Sequence, residues 1–553
     1  MKLLEPGRIG VMEVKNRIVM APMTAGLGGM HGEVTQRVVD WYEERARGGA
    51  GLICVEETLV TPRRKDGLDV VGQLGIDDWN QLPGWSELAD AVHAHGAKIS
   101  VQLNYTGPGM DPKLSPGLKG RGPSVFSFSK DTTAMNYGAD GLYAEESPTR
   151  EMSVPEIEEL VHDFREAAFR AKKAGFDAVE IICYHGGPAA FLSSPYTNKR
   201  KDRYGGDLDG RMRFPLEVLR AIKDRLGEDF PVFPRIPADE FVTGGITFGE
   251  AKQIAKRFEE NGADAISLVS GTWGTSLSLG YGASWPSYQK IGYLEPYAAE
   301  LKNLVNIPVF MVGAMHFYET AERILTEGKA DFIVMGRGLI ADPELPKKLM
   351  EGRPEDIRRC IRCNECLACT TGYIPVHCSI NPAAGNEKRR SITPAKQTKN
   401  VLVIGGGPGG MEAARIACMR GHNVTLLEKS DRLGGNLIPG SVPEFKKEIR
   451  YLIDWYAVQL KKLGVKIEFG KAAGADVLDR NPDVLVIGTG SQYLKPDIPG
   501  INNAFQAIDM LLNPEISDND NVVIAGGGSV GCETGRIIFQ NIIKKNLFSF
   551  EKN

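Results

Sequence analysis

The sequence predicts an α/β chain built from an N-terminal (β/α)8 TIM barrel, a cysteine-rich segment and a C-terminal Rossmann-like domain. Three observations carry this. Eight short apolar runs alternate with longer amphipathic stretches up to about residue 350. Five of the nine cysteines then fall between positions 360 and 378. After them a strand-like run opens into a Gly-x-Gly-x-x-Gly loop, and that signal recurs near the end of the chain.

The eight runs are residues 17–21, 51–56, 98–103, 177–182, 231–236, 264–269, 307–312 and 331–335. Each is rich in Val, Ile or Leu, bounded by Gly, Pro or Asp, and too short for a typical helix. Continuous rather than alternating apolar character points to strands buried on both faces, as in a parallel sheet. Helical patterns at 81–95, 155–173, 211–225 and 248–261 lie between them. Ser153-Val154-Pro155-Glu156 opens one of these as a capping box with Pro in the first turn. A doubly wound open sheet uses the same alternation, but a count of eight favours closure into a barrel. The connection at 104–150 is long and rich in Gly, Pro and Ser. In a barrel it lies at the catalytic face, where it is expected to form a cover.

The whole chain is 553 residues with a net charge of −4, so no basic surplus argues for nucleic acid or an anionic membrane. The first residues, Met1-Lys2-Leu3-Leu4-Glu5-Pro6-Gly7, lack a signal peptide's apolar core. No stretch approaches the roughly 20 apolar residues that span a bilayer. A cytoplasmic protein is expected. A disulfide framework would be dispersed and belongs outside the cytosol, so the packed cysteines read as metal ligands. Cys360-x2-Cys363-x2-Cys366 is tight enough for one loop to wrap a [4Fe–4S] cluster, with a more distant cysteine closing the set. Cys378 is the candidate, and spacing alone does not choose between it and Cys369. A zinc site would favour two separated pairs.

Beyond a polar linker at 388–399, Val401-Leu402-Val403-Ile404 runs into Gly405-Gly406-Gly407-Pro408-Gly409-Gly410. A second strand at 424–427 ends at Glu428, about 20 residues past the glycines. In a dinucleotide site Gly405 allows the tight turn and Gly407 lets backbone approach the pyrophosphate. Gly410 brings the helix close, and Glu428 receives ribose hydroxyls. Val522-Val523-Ile524-Ala525 leads in the same way into Gly526, Gly528 and Gly531. Two such loops suggest one site for FAD and one for NAD(P)H. The expected divisions are 1–354 for the barrel, 355–387 for the cluster segment, 388–399 for the linker, 400–518 for FAD and 519–553 for the start of a nicotinamide domain.

Several motifs together resemble the old yellow enzyme-like oxidoreductases with a fused iron–sulfur and dinucleotide module. This group includes the 2,4-dienoyl-CoA reductases, 2-enoate reductases and trimethylamine dehydrogenase. The motifs are Ala21-Pro22-Met23, Val101-Gln102-Leu103, Asn198-Lys199-Arg200 with Tyr204-Gly205-Gly206, Met335-Gly336-Arg337 and Cys378-Ser379-Ile380-Asn381-Pro382. The resemblance implies FMN on the barrel. Pro22, Met23 and Thr24 would touch the flavin through backbone, and Gln102 would bond its pyrimidine edge. Arg235 would stand by N1 and O2, where reduction places negative charge. Gly313, Ala314, Gly336 and Arg337 would form the phosphate site after the seventh and eighth strands. The alternative for Arg235 is an ion pair capping the barrel. The cluster ligands implied are Cys360, Cys363, Cys366 and Cys378, with Cys369 left as a spare thiol.

The pocket departs from the family. Ile182 replaces the first polar residue after Glu180-Ile181, His185 keeps the second, and Gly187 stands where Tyr is common. Tyr105 and Pro108 replace a His and an Arg. Glu57 occupies a position beside the flavin that is often small. The resemblance and these departures together imply an NAD(P)H-dependent reductase of an enoate, enone or enoyl thioester, with electrons reaching FMN through FAD and the cluster. Its partner is a small unsaturated molecule, and a homo-oligomer is compatible with the sequence. His185 is the candidate for carbonyl contact, or for a structural hydrogen bond, and Tyr184 and Tyr105 are candidate proton donors. An amine dehydrogenase and an electron-transfer subunit are the rivals. Only 22 residues follow Gly531, fewer than the roughly 30 a βαβ unit needs, so a shortened nicotinamide domain and weakly held FAD are expected.

Overall fold

The computed structural model describes residues 1–62, 71–107, 117–125, 149–184, 187–272, 287–513 and 522–550. The chain divides into two compact units, Met1–Ser391 and Ile392–Asn553.

In the first unit eight parallel strands close on themselves. They are β1 (Ile18–Met20), β2 (Leu52–Leu59), β3 (Lys98–Asn104), β4 (Ala178–Ile182), β5 (Val232–Pro237), β6 (Ile266–Val269), β7 (Val309–Met311) and β8 (Phe332–Met335). Each pairs with its sequence neighbour, and β8 pairs back to β1 to complete the barrel. All eight expected runs are therefore strands, and every residue of β1 and β3–β8 but Lys98 is buried. The Ser153 capping box forms as expected: the Glu156 N–H reaches Ser153 Oγ at 3.4 Å and the Ser153 N–H reaches Glu156 Oε2 at 2.8 Å. An antiparallel hairpin, Gly7–Ile9 with Met12–Val14, lies against the barrel, and a Cβ on Gly7 would stand 2.5 Å from the Phe332 ring.

β2 carries a bulge between Val55 and Glu57. A bulge inserts one residue and re-aims its neighbours. The two successive acids here serve different surroundings. Glu56 turns to the Tyr42 hydroxyl at 3.1 Å and the Ala25 N–H at 3.0 Å, while Glu57 accepts from the Asn104 amide. Of the 104–150 connection, the described parts include Arg121–Gly122 paired with Arg150–Glu151. The rest, with Pro108, lies outside the described residues.

The cysteine segment packs with the barrel unit. The Val376 N–H donates to the Ala25 carbonyl at 2.8 Å, and Asn381 Nδ2 donates to the Ile340 carbonyl at 2.8 Å. Arg45, fully buried, reaches Glu387 at 2.7 Å.

The second unit holds a four-stranded parallel sheet of β9 (Asn400–Ile404), β10 (Asn423–Leu427), β11 (Lys466–Glu468) and β12 (Val484–Ile487), in the order β11-β10-β9-β12. One expectation fails here. The composition of residues 522–525 predicts a buried strand, yet they form none, and Val523 is 92% exposed. The apolar run has no neighbouring strand to pair with among the described residues, and a strand exists only through its partner. The Gly loop and the helix Ser529–Phe550 still follow.

Candidate active site and cofactor cradles

Strands β2 to β6 bring a polar floor together inside the barrel. Glu180, an acid in an otherwise apolar strand, is its centre. Its Oε2 accepts from Gln102 Nε2 at 2.7 Å and from the Cys54 thiol at 3.3 Å, and its Oε1 stands 3.5 Å from Arg235 Nη1. Arg235 also donates to Ser267 Oγ at 3.2 Å. Burial and the Glu180 charge push the Cys54 thiol well up, so it remains a proton donor. Phe233, two residues before Arg235 and so on the same face one layer deeper, packs on Phe310 at 5.3 Å.

Above the floor, Arg235 lies 5.8 Å from the Tyr184 ring centre. Burial raises the Tyr184 hydroxyl to about 12 against the opposing pull of Arg235, with Glu57 and Glu180 adding to the rise. Tyr105 is also buried, but its hydroxyl accepts from Arg121 Nε at 2.9 Å with the guanidinium 5.3 Å from its ring. Gly187 begins the helix Pro188–Ser193, and a Cβ there would stand 2.7 Å from Ile182 and 2.8 Å from Asn104 Oδ1. No larger side chain fits at Gly187 without displacing them. Asn104 Oδ1 and Thr106 Oγ1 are buried with no hydrogen-bond partner among the described residues. His185 lies outside the described residues.

The loops after β1, β7 and β8 fit a phosphate-bearing flavin. Pro22, Met23 and Thr24 are partly exposed in the loop after β1. Gly313 has φ +133° and a Cβ there would meet nothing within 4 Å, so bare backbone faces open space. Ala314 adopts φ +55°, a left-handed conformation uncommon for alanine. A Cβ on Gly336 would stand 2.9 Å from Met23 Sδ, which joins the first and last loops. Arg337 hydrogen-bonds Asn364 Oδ1, itself at φ 62° in the cysteine loop. Next to it His316 is 3% exposed, with its Nε2 unpartnered among the described residues. Burial, then Arg337, Arg362 and Arg359, lowers its ionisation well below the ordinary histidine value.

The thiols of Cys360, Cys366 and Cys378 are each raised in part by neighbouring thiols, Cys363 being a neighbour of all three. Burial raises Cys360 to about 11 while Arg337 opposes it. The Arg362 N–H reaches Cys360 Sγ at 3.3 Å, and N–H groups of Ile380 and Asn381 turn to Cys378. Cys369 also feels Cys378, but its Sγ is 2.8 Å from His377 Nδ1.

In the second unit Gly405 has φ +102°, and a Cβ there would stand 2.3 Å from the Gly488 carbonyl. Gly407 faces open space, and a Cβ on Gly410 would meet the Gly405 carbonyl at 1.8 Å. These contacts fit the three glycine roles of a dinucleotide loop. Glu428 accepts from the Gly406 N–H at 2.6 Å and from Ser430 Oγ at 2.7 Å. Burial works against its charge, but these bonds hold the carboxyl below its usual range. The second loop repeats the geometry: Gly526 has φ +116°, Gly528 faces open space, and a Cβ on Gly531 would stand 2.0 Å from the Gly526 carbonyl.

Residues 2–356 match the NADH:flavin oxidoreductase / NADH oxidase family, and residues 399–545 match the pyridine nucleotide-disulphide oxidoreductases. The chain belongs to the NADH:flavin oxidoreductase / NADH oxidase family. It is 42% identical over 556 residues to an NADH oxidase of Thermoanaerobacter brockii, covering 99% of this chain and 82% of that protein. It is 37% identical to a cinnamate reductase of Clostridium sporogenes, covering 96% and 80% respectively. A solved 2-naphthoyl-CoA reductase complex superposes with a TM-score of 0.87 at 33% identity, over 96% of this chain and 80% of that one. The resemblance carried by the motifs therefore holds, and this family member is an oxidoreductase with an FMN-type barrel and an FAD/NAD-type domain. No helix among the described residues is long and apolar enough to cross a membrane.

The sequence marks Glu180 only as part of a motif, and it leaves Cys54, Ser267, Asn104 and His316 unmarked. An acid inside a buried strand is the available signal for Glu180. The others carry none, because their roles arise from neighbours on other strands.

Proposed function

We propose that this family member reduces an activated C=C bond, in an enoate, enone or enoyl thioester, at the mouth of its barrel. The observation supporting this reading is Tyr184, a phenol kept protonated beside the Arg235 guanidinium at the strand ends. When bound, FMN supplies the hydride donor, and FAD with a [4Fe–4S] cluster supplies carriers for electrons from NAD(P)H. Gln102 and Arg235 would hold the flavin's polar edge, Glu57 would border it, and Pro22, Met23 and Thr24 would meet it through backbone. Gly313, Ala314, Gly336 and Arg337 would hold its phosphate. Gly405, Gly407, Gly410 and Glu428 would hold FAD, and Gly526, Gly528 and Gly531 would meet the nicotinamide dinucleotide.

Tyr184 would deliver a proton to the substrate's α-carbon. Tyr105 is the second candidate donor, its hydroxyl bonded by Arg121 as that of Tyr184 is by Arg235. His185 is retained as the carbonyl contact. Cys360, Cys363, Cys366 and Cys378 would hold the cluster. A tetrahedral zinc would draw four sulfurs to about 3.8 Å from one another. Among the described residues the only group of three His, Cys, Asp or Glu donor atoms within 4.8 Å of one another is Glu365, Cys369 and His377, so no three of these four thiols are that close. The relatives named for cinnamate and 2-naphthoyl-CoA reduction agree with the substrate class.

The test is anaerobic flavin reoxidation after dithionite reduction, with cinnamate, 2-naphthoyl-CoA and a cyclic enone as oxidants. Reoxidation by one of these, slowed at least tenfold in Tyr184→Phe with flavin content unchanged, is expected. Reduction of the oxidised enzyme by dimethylamine, with no reoxidation by any alkene, would replace the reading with an amine dehydrogenase. That alternative is favoured by the Cys-x2-Cys-x2-Cys spacing.

A further inference from the structure

Cys369 is the fifth thiol of the cysteine segment and lies outside the group of four. Glu365 and Cys369 sit four residues apart on the helix Glu365–Thr371, so their side chains share one face. The chain then turns, and the segment anchored by Val376 to the Ala25 carbonyl brings His377 onto the same face. His377 Nε2 is 3.3 Å from Cys369 Sγ and 3.2 Å from Glu365 Oε1. All three donor atoms lie within 4.8 Å of one another.

Two of these separations approach the edges of a coordination tetrahedron. With Zn–S near 2.3 Å and Zn–N and Zn–O near 2.0–2.1 Å, adjacent ligands stand about 3.5 Å apart for S and N and about 3.3 Å apart for N and O. The two Nε2 edges fall within about 0.2 Å of those values; His377 Nδ1, at 2.8 Å, is nearer the same sulfur than a ligand edge, so loading turns the ring to present Nε2. Cys369 is 1% exposed, whereas the side chains of Glu365 and His377 are about half exposed. The sulfur is therefore shielded while the opposite side opens to solvent, which provides an entry path and room for a water ligand.

We propose that Glu365, Cys369 and His377 bind one divalent ion of the zinc class, with water completing a four-coordinate site. Thiolate, imidazole and carboxylate together suit a borderline ion and not the oxygen-seeking Mg2+ or Ca2+. Without the ion the thiol donates to the Glu365 carbonyl at 3.0 Å and the imidazole bonds the carboxylate. Loading releases the thiol proton to solvent and leaves the imidazole neutral. Glu365 adjoins Cys366, and His377 adjoins Cys378. The ion thus ties the helix carrying one proposed cluster ligand to the segment carrying another. The site uses no flavin and stands apart from the substrate reading.

The experiment takes the full chain, reconstituted anaerobically with iron, sulfide and both flavins, and adds one equivalent of Zn2+ before dialysis against a weak chelator. About one zinc per chain should remain. Its K-edge absorption should show one sulfur near 2.3 Å and N/O ligands near 2.0–2.1 Å. Cys369→Ala and His377→Ala should abolish retention, and Glu365→Gln, isosteric and at an exposed position, should weaken it at least tenfold. Iron and sulfide should stay at the wild-type level in all three. No retained zinc, equal retention in wild type and variants, or a four-sulfur shell would overturn the site. Loss of iron in Cys369→Ala would also overturn it, by making Cys369 a cluster ligand.

Discussion

Replacing Glu180 with glutamine removes one charge from the barrel floor and almost no volume. Glu180 and Arg235 are 2% and 4% exposed at their side chains and 3.5 Å apart. At an effective dielectric of about 20 their attraction is about 4.7 kcal/mol. Breaking a buried pair by removing one partner typically costs about 3–5 kcal/mol, because the remaining charge stays buried without compensation. Glu180→Gln should therefore destabilise the barrel unit by roughly 3–5 kcal/mol in urea unfolding, read by far-UV circular dichroism without added flavin. Arg235→Met should cost a similar amount. The double variant should be less destabilised than the sum of the singles by at least about 2 kcal/mol, the signature of direct coupling. With FMN bound, Glu180→Gln should also raise the flavin's reduction potential, since Arg235 then faces it unopposed. Single variants within about 1 kcal/mol of wild type, with an additive double variant, would refute the pair as the organiser of the floor.

Three other outcomes are expected. Arg337→Ala should release FMN on gel filtration while leaving FAD bound, if Arg337, which follows β8, holds the FMN phosphate through its planar fork as proposed. Gly405→Ala should do the reverse, because it forces a Cβ to 2.3 Å from the Gly488 carbonyl at φ +102°. Glu240, buried and raised to about 7 by desolvation against bonds from Ser194 and Ile246, binds its proton more tightly in the folded state than in the unfolded one. Its contribution is fully present below about pH 4.5 and lost as the pH rises through 7, roughly 3 kcal/mol at about 1.4 kcal/mol per unit. Glu240→Gln should flatten that part of the stability–pH curve.

The barrel is legible in the sequence because its signal is local and repeated. Each strand of a closed parallel sheet is buried on both faces, so eight apolar runs suffice to count it. The Gly405 loop is legible for the same reason, since turn, strand and acid fall within one short window. The floor is not. Cys54, Gln102, Glu180 and Arg235 are separated by dozens of residues, and only the pairing of β2 to β5 brings the other three to the Glu180 carboxylate. The bulge in β2 hides a further detail, because it sets Glu57 rather than Glu56 opposite Gln102. Residues 522–525 mark the opposite failure: their composition is that of a strand, but strand formation depends on a neighbour that composition does not report. Cys369 is ambiguous by spacing, and His377, eight residues further on, gives it its surroundings.

The interior of the barrel also explains why its chemistry belongs at one end. Phe233, Phe310 and Phe332 stack through it with ring centres 5.3 and 4.9 Å apart, and the hairpin at Gly7 closes against Phe332. Such a layer offers a charge neither water nor a dipole, so an ion placed there would have to neutralise. The next layer outward is where charge first becomes tolerable, and it holds one guanidinium and one carboxylate with the neutral partners Gln102, Cys54 and Ser267. That layer is balanced in itself. An electron-rich group arriving from the mouth must compete with Glu180 for Arg235, so the stabilisation Arg235 can give it is what Glu180 leaves available. Glu180 is therefore a positioning residue whose distance from Arg235 sets how strongly this barrel favours negative charge at its mouth.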